Sequence, residues 1–280
     1  MRVLMTDLAP LSEKRKSGVG YYTQQLVNNL RDLAGPDFVY SFPDPWLEWK
    51  FDWLTNQCRR FEYISKQRGL LPWIEKKVRG KVLDIVRKTV PMMQNPFEEA
   101  IRESGSVLYH EPNFVPRALN LPTVISVHDL SVILHPEWHP RKRVLYFERE
   151  FHKGLQQCSH IIAISECGKS EIVRHLGWPA EKVSVTYMGV RQGLQRVDGE
   201  RLSQTLKTLG LKAGYLLHVG TLEPRKNVLM LLKAYCDLPG SVREKHPLVL
   251  VGGKGWNVDD VLTYVNREAR HKGVRWLGYV

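Results

Sequence analysis

The sequence predicts an α/β protein built on parallel sheets with helices on both faces. Short apolar runs alternate along the chain with amphipathic helical patterns, and this alternation is typical of a doubly wound parallel sheet. Polar residues follow directly after several apolar runs, and in a parallel sheet such residues meet at the carboxyl edge, where ligands bind. With 280 residues, of which 43% are apolar, the chain can bury one large core or two medium ones.

The first part of the chain contains six predicted strands. They cover residues 3–5, 38–42, 107–109, 123–127, 161–164 and 183–187. Helical patterns lie between the first two strands and between the later ones. One helical face comprises Tyr22, Leu26, Leu30 and Leu33, and a second comprises Phe147, Phe151, Leu155 and Cys158. Ser165 is predicted to cap a helix that ends at Gly177, and Asn95 to cap a short helix that ends at Gly105.

A second domain is predicted to begin near Gly214. Residues 215–219 are apolar apart from His218, as expected of a strand covered on both faces. Gly220 permits a sharp exit from that strand, and Pro224 suits the entry to a helix. The helix has one apolar face, which comprises Val228, Leu231, Leu232 and Tyr235.

Arg225 and Lys226 would lie where this strand passes into the helix. Two fixed cations beside the positive end of a helix suit a diphosphate. A solvated basic pair at a helix start would have the same spacing, so the pattern by itself leaves both interpretations open.

The remaining predicted elements continue the same alternation. Residues 191–213 are polar and charged and indicate a linker with one short helix. Residues 248–252 and 274–277 are predicted strands. The helix between them is marked by Val258, Val261, Leu262, Val265 and Ala269.

Glycines near the N-terminus indicate a second place for an anion. Gly18 and Gly20 precede the first helical pattern, and glycines there let backbone N–H groups approach a phosphate. A tight turn between a strand and a helix would show the same two glycines.

The net charge of +12 implies an anionic partner, which by charge alone is a nucleotide, a lipid headgroup or a nucleic acid. No apolar run approaches the length of a membrane span, and the N-terminus is too poor in apolar residues for a signal peptide. The cysteines show no Cys-x-x-Cys spacing and indicate reduced thiols in a cytoplasmic protein. They are Cys58, Cys158, Cys167 and Cys236.

Residues 45–94 differ from the rest in composition. They hold four of the eight tryptophans, and eleven Lys and Arg against five Asp and Glu, so they supply +6 of the +12. Aromatic residues interleaved with basic ones suit an anionic membrane interface. The same composition suits nucleic acid, and an amphipathic helix pair with a solvated basic face would also produce it.

Polar residues at the predicted strand ends form a candidate site. They are His110, Glu111, Asn113, His128, Asp129, Ser165, Glu166 and Gly189. Each one could be an ordinary loop residue, but together they favour a site at the carboxyl edge of the sheet. His128, His135 and His139 do not form a helical His-x-x-x-His pair with a carboxylate partner, so no zinc site is predicted.

Several of these segments resemble the retaining glycosyltransferases of family 4, especially the mannosyltransferase-type members that build bacterial surface polysaccharides. In the second half they are residues 218–235, which include EPRKN (223–227), then 248–256 (LVLVGGKGW) and 274–280. In the first half they are HEPNF (110–114), TVISVHDL (123–130), IAISE (162–166) and VTYMGV (185–190). The resemblance covers nearly the whole chain.

The resemblance implies a GT-B arrangement of two Rossmann-like domains, at residues 1–195 and 213–280, with the second incomplete. It implies transfer of a hexose, most typically mannose, to a lipid-linked or saccharide acceptor. The donor would be GDP-mannose or a UDP-hexose. Arg225 and Lys226 would hold the donor diphosphate, with Gly18, Gly20 and Gly220 beside the donor. His128 would lie near the transferred sugar. The acceptor-side residues would be His110, Glu111, Asn113 and Asp129.

The predicted partners are therefore a nucleotide sugar and its acceptor, with an anionic membrane surface as a further partner and no nucleic acid. The predicted location is the cytoplasm, at the inner face of the plasma membrane. No Asp-x-Asp motif appears in the donor region, so neither a metal nor another cofactor is expected.

The sequence departs from the family in one respect. Family members carry a later Glu-x7-Glu motif that holds the donor sugar and ribose, and these 280 residues do not contain that part. We therefore expect the 280 residues to fold a competent first domain without catalysing transfer, and the strand at 274–277 to remain an uncovered edge. A binding or scaffold protein is the alternative function. A dinucleotide oxidoreductase is disfavoured, because no Gly-x-Gly-x-x-Gly follows the first strand.

Overall fold

The computed structural model describes residues 2–5, 18–41, 101–116, 119–190 and 193–280. The tryptophan-rich block at 45–94 and the predicted Asn95 cap lie outside these ranges. The described residues group into two compact units. Unit 1 comprises residues 1–128 and 151–188, and unit 2 comprises residues 129–150 and 189–280. The domain extents 1–195 and 213–280 stay a prediction.

Unit 1 contains a six-stranded parallel sheet, as predicted. Its strands are β1 (Val3–Met5), β2 (Val39–Ser41), β3 (Leu108–Glu111), β4 (Thr123–Val127), β5 (Cys158–Ala163) and β6 (Val183–Val185), in the order β2-β1-β3-β4-β5-β6. β1 pairs with β2 on one side and β3 on the other. The strand order therefore reverses between β1 and β3, and in open α/β sheets ligands bind beyond the carboxyl ends of strands at such a switch point.

The helices follow the predicted alternation. Among the described residues, the named α-helices are α1 (Gly18–Ala34), α2 (Ser131–Leu134), α3 (Arg141–Gln156), α4 (Glu166–Leu176), α5 (Gly199–Leu209), α6 (Val228–Cys236), α7 (Gly240–Lys245) and α8 (Asp259–Arg267). Residues 101–104 are also helical, and the chain turns at Gly105, where φ is +65°. α4 has the predicted ends: the Ser165 hydroxyl accepts a hydrogen bond from the Gly168 amide at 3.0 Å, and Gly177 is left-handed with φ 63°.

The predicted face of α1 is wrong at one residue. Val27 is buried with Val3, Met5 and Val39, and Leu26 and Leu30 pack beside it, but Leu33 is 85% exposed. Leu33 is seven residues beyond Leu26 and only about 20° away around the helix, so it shares that face. It lies in the last turn of α1, one residue before the end at Ala34, so its position along the helix and not its face sets its exposure.

The second predicted face in this half is correct along α3. Phe147, Phe151 and Leu155 are all buried. Cys158 is not part of that helix, because the chain has already entered β5 there. β5 therefore starts earlier than the apolar run from residue 161 suggested.

Unit 2 contains a three-stranded parallel sheet. Its strands are β7 (Leu216–Val219), β8 (Leu248–Val251) and β9 (Val274–Trp276), in the order β7-β8-β9. The core lies around β8 and β9 and confirms both predicted helical faces. Its buried members include Leu222, Val228, Leu232, Tyr235, Leu248, Leu250, Val258, Val261, Val265, Ala269 and Val274.

The burial predicted for β7 is wrong. Leu216, Leu217 and Val219 are 46%, 53% and 69% exposed. β7 has β8 as its one neighbour in the described sheet, and none of its residues belongs to the core. β9 is an edge strand of the described sheet, as expected, although its Val274 is only 1% exposed. An apolar run indicates a strand, but how far that strand is covered depends on what packs on it.

The segment predicted to be a linker contains one short helix, α5, as predicted, but its described residues belong to unit 2. α5 ends at Gly210, which is left-handed with φ 60°. The Arg275 guanidinium donates to the carbonyls of Leu209 and Gly210, so β9 caps the helix. In the ranges that the structure describes, no helix is long and apolar enough to cross a membrane.

Candidate functional site

At the carboxyl edge of the first sheet, Ser126 connects three elements. Its hydroxyl lies 2.9 Å from Nε2 of His110 on β3 and 2.8 Å from the hydroxyl of Tyr22 on α1. Burial lowers the pKa of His110 to about 4, so the ring is neutral at pH 7. Burial also raises the pKa of Tyr22, so its phenol keeps its proton. The predicted residue His110 is thus part of a buried neutral hydrogen-bond network.

Glu111 shapes the loop that follows β3. The side chain is 1% exposed; Oε2 accepts from the Tyr109 hydroxyl at 2.8 Å and Oε1 accepts from the Asn113 amide at 3.0 Å. Phe114 comes next with φ +65°, and its amide donates to the Ser126 carbonyl at 3.1 Å. A left-handed aromatic residue is uncommon and requires such support. Glu111 therefore fixes a bent loop at the edge where a ligand would bind.

His128 lies directly after β4 and is held by this loop. Its Nε2 is 3.0 Å from the Pro112 carbonyl, and because a carbonyl can only accept, Nε2 carries the hydrogen. The ring meets Tyr22 and Phe114 edge-on, with centroids 4.8 and 5.3 Å away. The structure thus brings the predicted residues His110, Glu111, Asn113 and His128 together at the edges of β3 and β4.

Gly18 and Gly20 lie in the first turn of α1 instead of in a loop before it. Gly18 is exposed, and a Cβ at this position would meet no atom within 4 Å. Gly20 is buried. Their amides are at the helix start, where a phosphate is favoured, but their contact with a donor stays a prediction.

In unit 2, the loop after β7 packs closely on the loop after β8. The Gly220 amide donates to the Val251 carbonyl at 2.8 Å, so this predicted donor residue uses its N–H inside the sheet. Gly252 has φ +145°, and a Cβ there would lie 1.9 Å from the Gly220 carbonyl oxygen. A Cβ on Gly255 would lie 2.3 Å from the Leu222 oxygen. The tight approach therefore depends on Gly252 and Gly255, to which sequence reasoning gave no role.

Arg225 and Lys226 lie in a 3-10 turn, Pro224–Lys226. Pro224 therefore opens this turn and not the α-helix, which corrects the prediction. Asn227 follows in the left-handed conformation with φ 49°, and α6 begins at Val228. Asn227 thus stands between the turn and α6. Both cations lie directly before the start of the helix.

The Arg225 guanidinium is bound by two carboxylates. Its Nε and Nη2 donate to Glu223 Oε1 at 3.1 and 2.7 Å, and its Nη1 donates to Asp129 Oδ2 at 3.1 Å. Glu223 is 5% exposed, whereas the side chain of Asp129 is 37% exposed. Asp129 was predicted on the acceptor side, and the structure joins it to the predicted diphosphate residue within unit 2.

A polar chain continues from Asp129. Ser131 donates its amide and hydroxyl to Asp129 Oδ1 at 2.9 and 2.5 Å, and the Ser131 hydroxyl lies 2.9 Å from Nε2 of buried His139. The His139 ring lies 6.2 Å from that of Trp256, whose indole N–H donates to the Trp138 carbonyl at 2.8 Å. Sequence reasoning missed these residues. The Asp-x-Ser spacing, which favours a side-chain turn, was the available signal.

Within the described ranges, no three His, Cys, Asp or Glu side chains lie together in a way that could hold a metal ion. The predicted histidines His128, His135 and His139 are engaged in separate contacts: the first with Pro112, the second stacked on Trp138 at 3.8 Å, and the third with Ser131.

Comparison with known sequences identifies the family. A profile of Glycosyltransferase Family 4 matches residues 106–192. The chain is 37% identical over 275 residues to the O-antigen chain mannosyltransferase B of Escherichia coli, covering 94% of this chain and 68% of that protein. The serotype-specific mannosyltransferase WbdA of Escherichia coli is 28% identical over 140 residues, which are 47% of this chain and 17% of WbdA.

Solved structures with the same fold are more distant in sequence. HepE of Anabaena, solved with UDP and glucose, aligns with a TM-score of 0.55 at 18% identity, over 100% of this chain and 70% of HepE. WaaG, a glycosyltransferase involved in lipopolysaccharide biosynthesis, aligns with a TM-score of 0.50 at 14% identity, over 66% of this chain and 51% of WaaG. At such identities the likeness concerns the fold alone. Because the 37% identity to a mannosyltransferase extends over 94% of its length, the chain belongs to glycosyltransferase family 4 and is a hexosyltransferase with the GT-B fold.

Proposed function

We propose that the protein is a retaining mannosyltransferase that moves mannose from GDP-mannose to a lipid-linked or saccharide acceptor in surface polysaccharide synthesis. The observation that carries this proposal is the 37% identity to an O-antigen mannosyltransferase along 94% of the chain. A UDP-hexose is the alternative donor, since the structural neighbour HepE was solved with UDP and glucose.

The donor site would be the turn that carries Arg225 and Lys226. The difficult step is departure of the nucleoside diphosphate from the anomeric carbon, during which negative charge builds on the β-phosphate. A guanidinium whose plane is fixed by buried Glu223 is a preorganised partner for that charge. Lys226 and the α6 terminus would add to the same field.

The acceptor side would be the edge of the first sheet. Asn113 lies there on a loop that Glu111 holds in place, and His128, directly after β4, bonds to the same loop. His128 would contact the transferred sugar near the anomeric carbon, with its ring orientation set by the Pro112 carbonyl. His110 and Glu111 would act from the interior by keeping this edge in shape, because both are buried.

The test is a transfer assay on the protein expressed from its complete gene, with radiolabelled GDP-mannose or UDP-hexoses as donor and an alkyl α-mannoside as acceptor. We expect label transfer from GDP-mannose and an α-linked product by NMR, because retention preserves the donor configuration. A β-linked product would contradict retention. Transfer from a UDP-hexose but not from GDP-mannose would show that the donor is the UDP-hexose. Donor binding without transfer to any acceptor would favour the scaffold alternative.

A surface on α3 supports association with an anionic membrane. All of its exposed residues except Arg143 fall within about 160° of the helix circumference, and Glu148 is the one acidic residue among them. They include the cations Arg141, Lys142, Arg149 and Lys153, together with Leu145 and Tyr146, which are 50% and 47% exposed. Cations interleaved with exposed apolar and aromatic side chains suit an anionic lipid interface. A lipid-linked acceptor would be met at such a surface.

Vesicle sedimentation tests the α3 surface. The double variant Arg141→Ala/Lys142→Ala should weaken binding to phosphatidylglycerol vesicles by about 30-fold, at about 1 kcal/mol per charge. The matched control Arg201→Ala/Lys207→Ala removes two exposed cations from α5 and should change binding little. Leu145→Ser should weaken binding in high salt as well. Binding that the α3 variants leave unchanged would contradict this assignment, as would tighter binding to RNA than to vesicles.

A further inference from the structure

The turn that carries Arg225 and its bound carboxylates together have no net positive charge. Glu223 and Asp129 both bind the guanidinium, and their two negative charges equal the two positive charges of Arg225 and Lys226. A diphosphate brought to this turn would meet two carboxylates as well as two cations. Strong attraction of the diphosphate therefore requires that one carboxylate release its hydrogen bond to Arg225.

The two carboxylates hold Arg225 unequally. Glu223 is 5% exposed and accepts two N–H groups, from Nε and Nη2. Asp129 accepts one, from Nη1 at 3.1 Å, and its side chain is 37% exposed. A partly exposed ion pair of this kind contributes little to stability, whereas removing a buried partner leaves an uncompensated charge. Asp129 is thus the carboxylate that an incoming anion can replace.

Asp129 would remain satisfied after such a replacement. Its other oxygen, Oδ1, accepts both the amide and the hydroxyl of Ser131. Burial raises the pKa of the Asp129 carboxyl, but the Ser131 hydrogen bonds and Arg225 outweigh this effect, so the pKa lies below its ordinary value. The carboxylate would therefore stay ionised and hydrogen-bonded beside the phosphate.

The position of Ser131 is itself fixed. An ionised carboxylate only accepts, so the Ser131 hydroxyl gives its hydrogen to Asp129 and must accept from His139 Nε2. His139 is 6% exposed, and the ring is held against Trp256. Its Nδ1 has no partner within the part of the chain that the structure describes. His139 and Ser131 thus hold a negative charge at a set place next to Arg225.

We propose that Asp129 is a displaceable counter-ion of the donor-diphosphate site, positioned by Ser131 and His139, and that it favours release of the product. This inference rests on the proposed function, because it assumes that Arg225 binds the diphosphate. The product nucleoside diphosphate ends in a phosphate that loses its second proton near pH 6, whereas in the donor the sugar blocks that ionisation. Asp129 repels the more highly charged product more strongly than the donor.

Calorimetric titration with GDP and GDP-mannose tests this role. Asp129→Asn keeps an oxygen for Ser131 and removes only the charge, so GDP should bind about fivefold more tightly and GDP-mannose about twofold. Asp259→Asn is the charge-matched control. Asp259 is exposed in the same unit and lies 3.8 Å from Lys254, away from Arg225, so this variant should leave the ratio of the two affinities unchanged.

A double-mutant cycle distinguishes this inference from the proposed function. Asp129→Asn should tighten GDP binding less in the Arg225→Ala background, because the competition for the guanidinium is lost and only the repulsion of the phosphate by Asp129 remains. If Arg225→Ala alone leaves GDP binding unchanged, the proposed donor site is wrong. If Arg225→Ala weakens binding but Asp129→Asn also weakens it, or acts equally in both backgrounds, Asp129 is a structural residue and the counter-ion role is wrong. Equal melting temperatures of the variants exclude a folding effect.

Discussion

Replacing Arg225 with alanine is expected to lower kcat for sugar transfer by about 100- to 1000-fold, the range measured when one preorganised charge contact is removed. The affinity for GDP should fall less, because charge on the leaving diphosphate is greatest in the transition state. The structural reason is the fixed guanidinium. Glu223 Oε1 accepts hydrogen bonds from Nε and Nη2 of Arg225 at 3.1 and 2.7 Å and sets the plane of the group. The measurement is kcat and KM for the enzyme expressed from its complete gene, together with GDP titration.

Two variants sharpen this prediction. Arg225→Lys keeps the charge but cannot form the two bonds to Glu223, so it should recover only part of the lost rate. Lys233→Ala removes an exposed cation from the last turn of α6 and should leave kcat unchanged. Near wild-type turnover of Arg225→Ala would refute the assignment of the diphosphate site.

Replacing His128 with alanine is expected to lower transfer by about 100-fold, on the scale of losing correct orientation of the reacting groups. The affinity for GDP should change little, because the ring is proposed to face the sugar and not the phosphates. The Nε2–H bond to the Pro112 carbonyl at 3.0 Å and the edge contacts to Tyr22 and Phe114 fix the imidazole. Titration with GDP and a transfer assay on one preparation separate the two effects.

His128→Gln is the informative second variant, since its amide can still donate to the Pro112 carbonyl. It should keep the loop folded and the melting temperature close to that of the wild type, while transfer stays low. His175→Ala, an exposed histidine in the last turn of α4, is the matched control and should have normal activity. A collapse of GDP affinity in His128→Ala would instead mark His128 as structural.

Local sequence patterns predicted the fold well because most of its elements follow from local rules. The six strands of unit 1 and the three of unit 2 were predicted from apolar runs, and Ser165 and Gly177 delimit α4 through capping and left-handed geometry. The buried stripes of α3, α6 and α8 follow from helical periodicity. These features depend on neighbours within a few residues, so one sequence contains them.

The sequence also placed Arg225 and Lys226 at a helix start and His128 at the end of a strand. Parallel strands end at one edge, so polar residues after β3 and β4 had to meet there. The composition likewise indicated an anionic partner. These conclusions needed only strand direction and charge.

Tertiary structure alone decided which side chains neutralise or hold these residues. Asp129 and Arg225 are 96 residues apart, and no local pattern relates them, yet their ion pair determines the net charge around the turn that carries Arg225 and Lys226. The exposure of β7 and of Leu33, and the close approach that only glycine permits at Gly252, likewise depend on which surfaces pack together. Periodicity identifies an apolar face, but burial and charge pairing are properties of contacts between distant segments, and these exist only once the chain has folded.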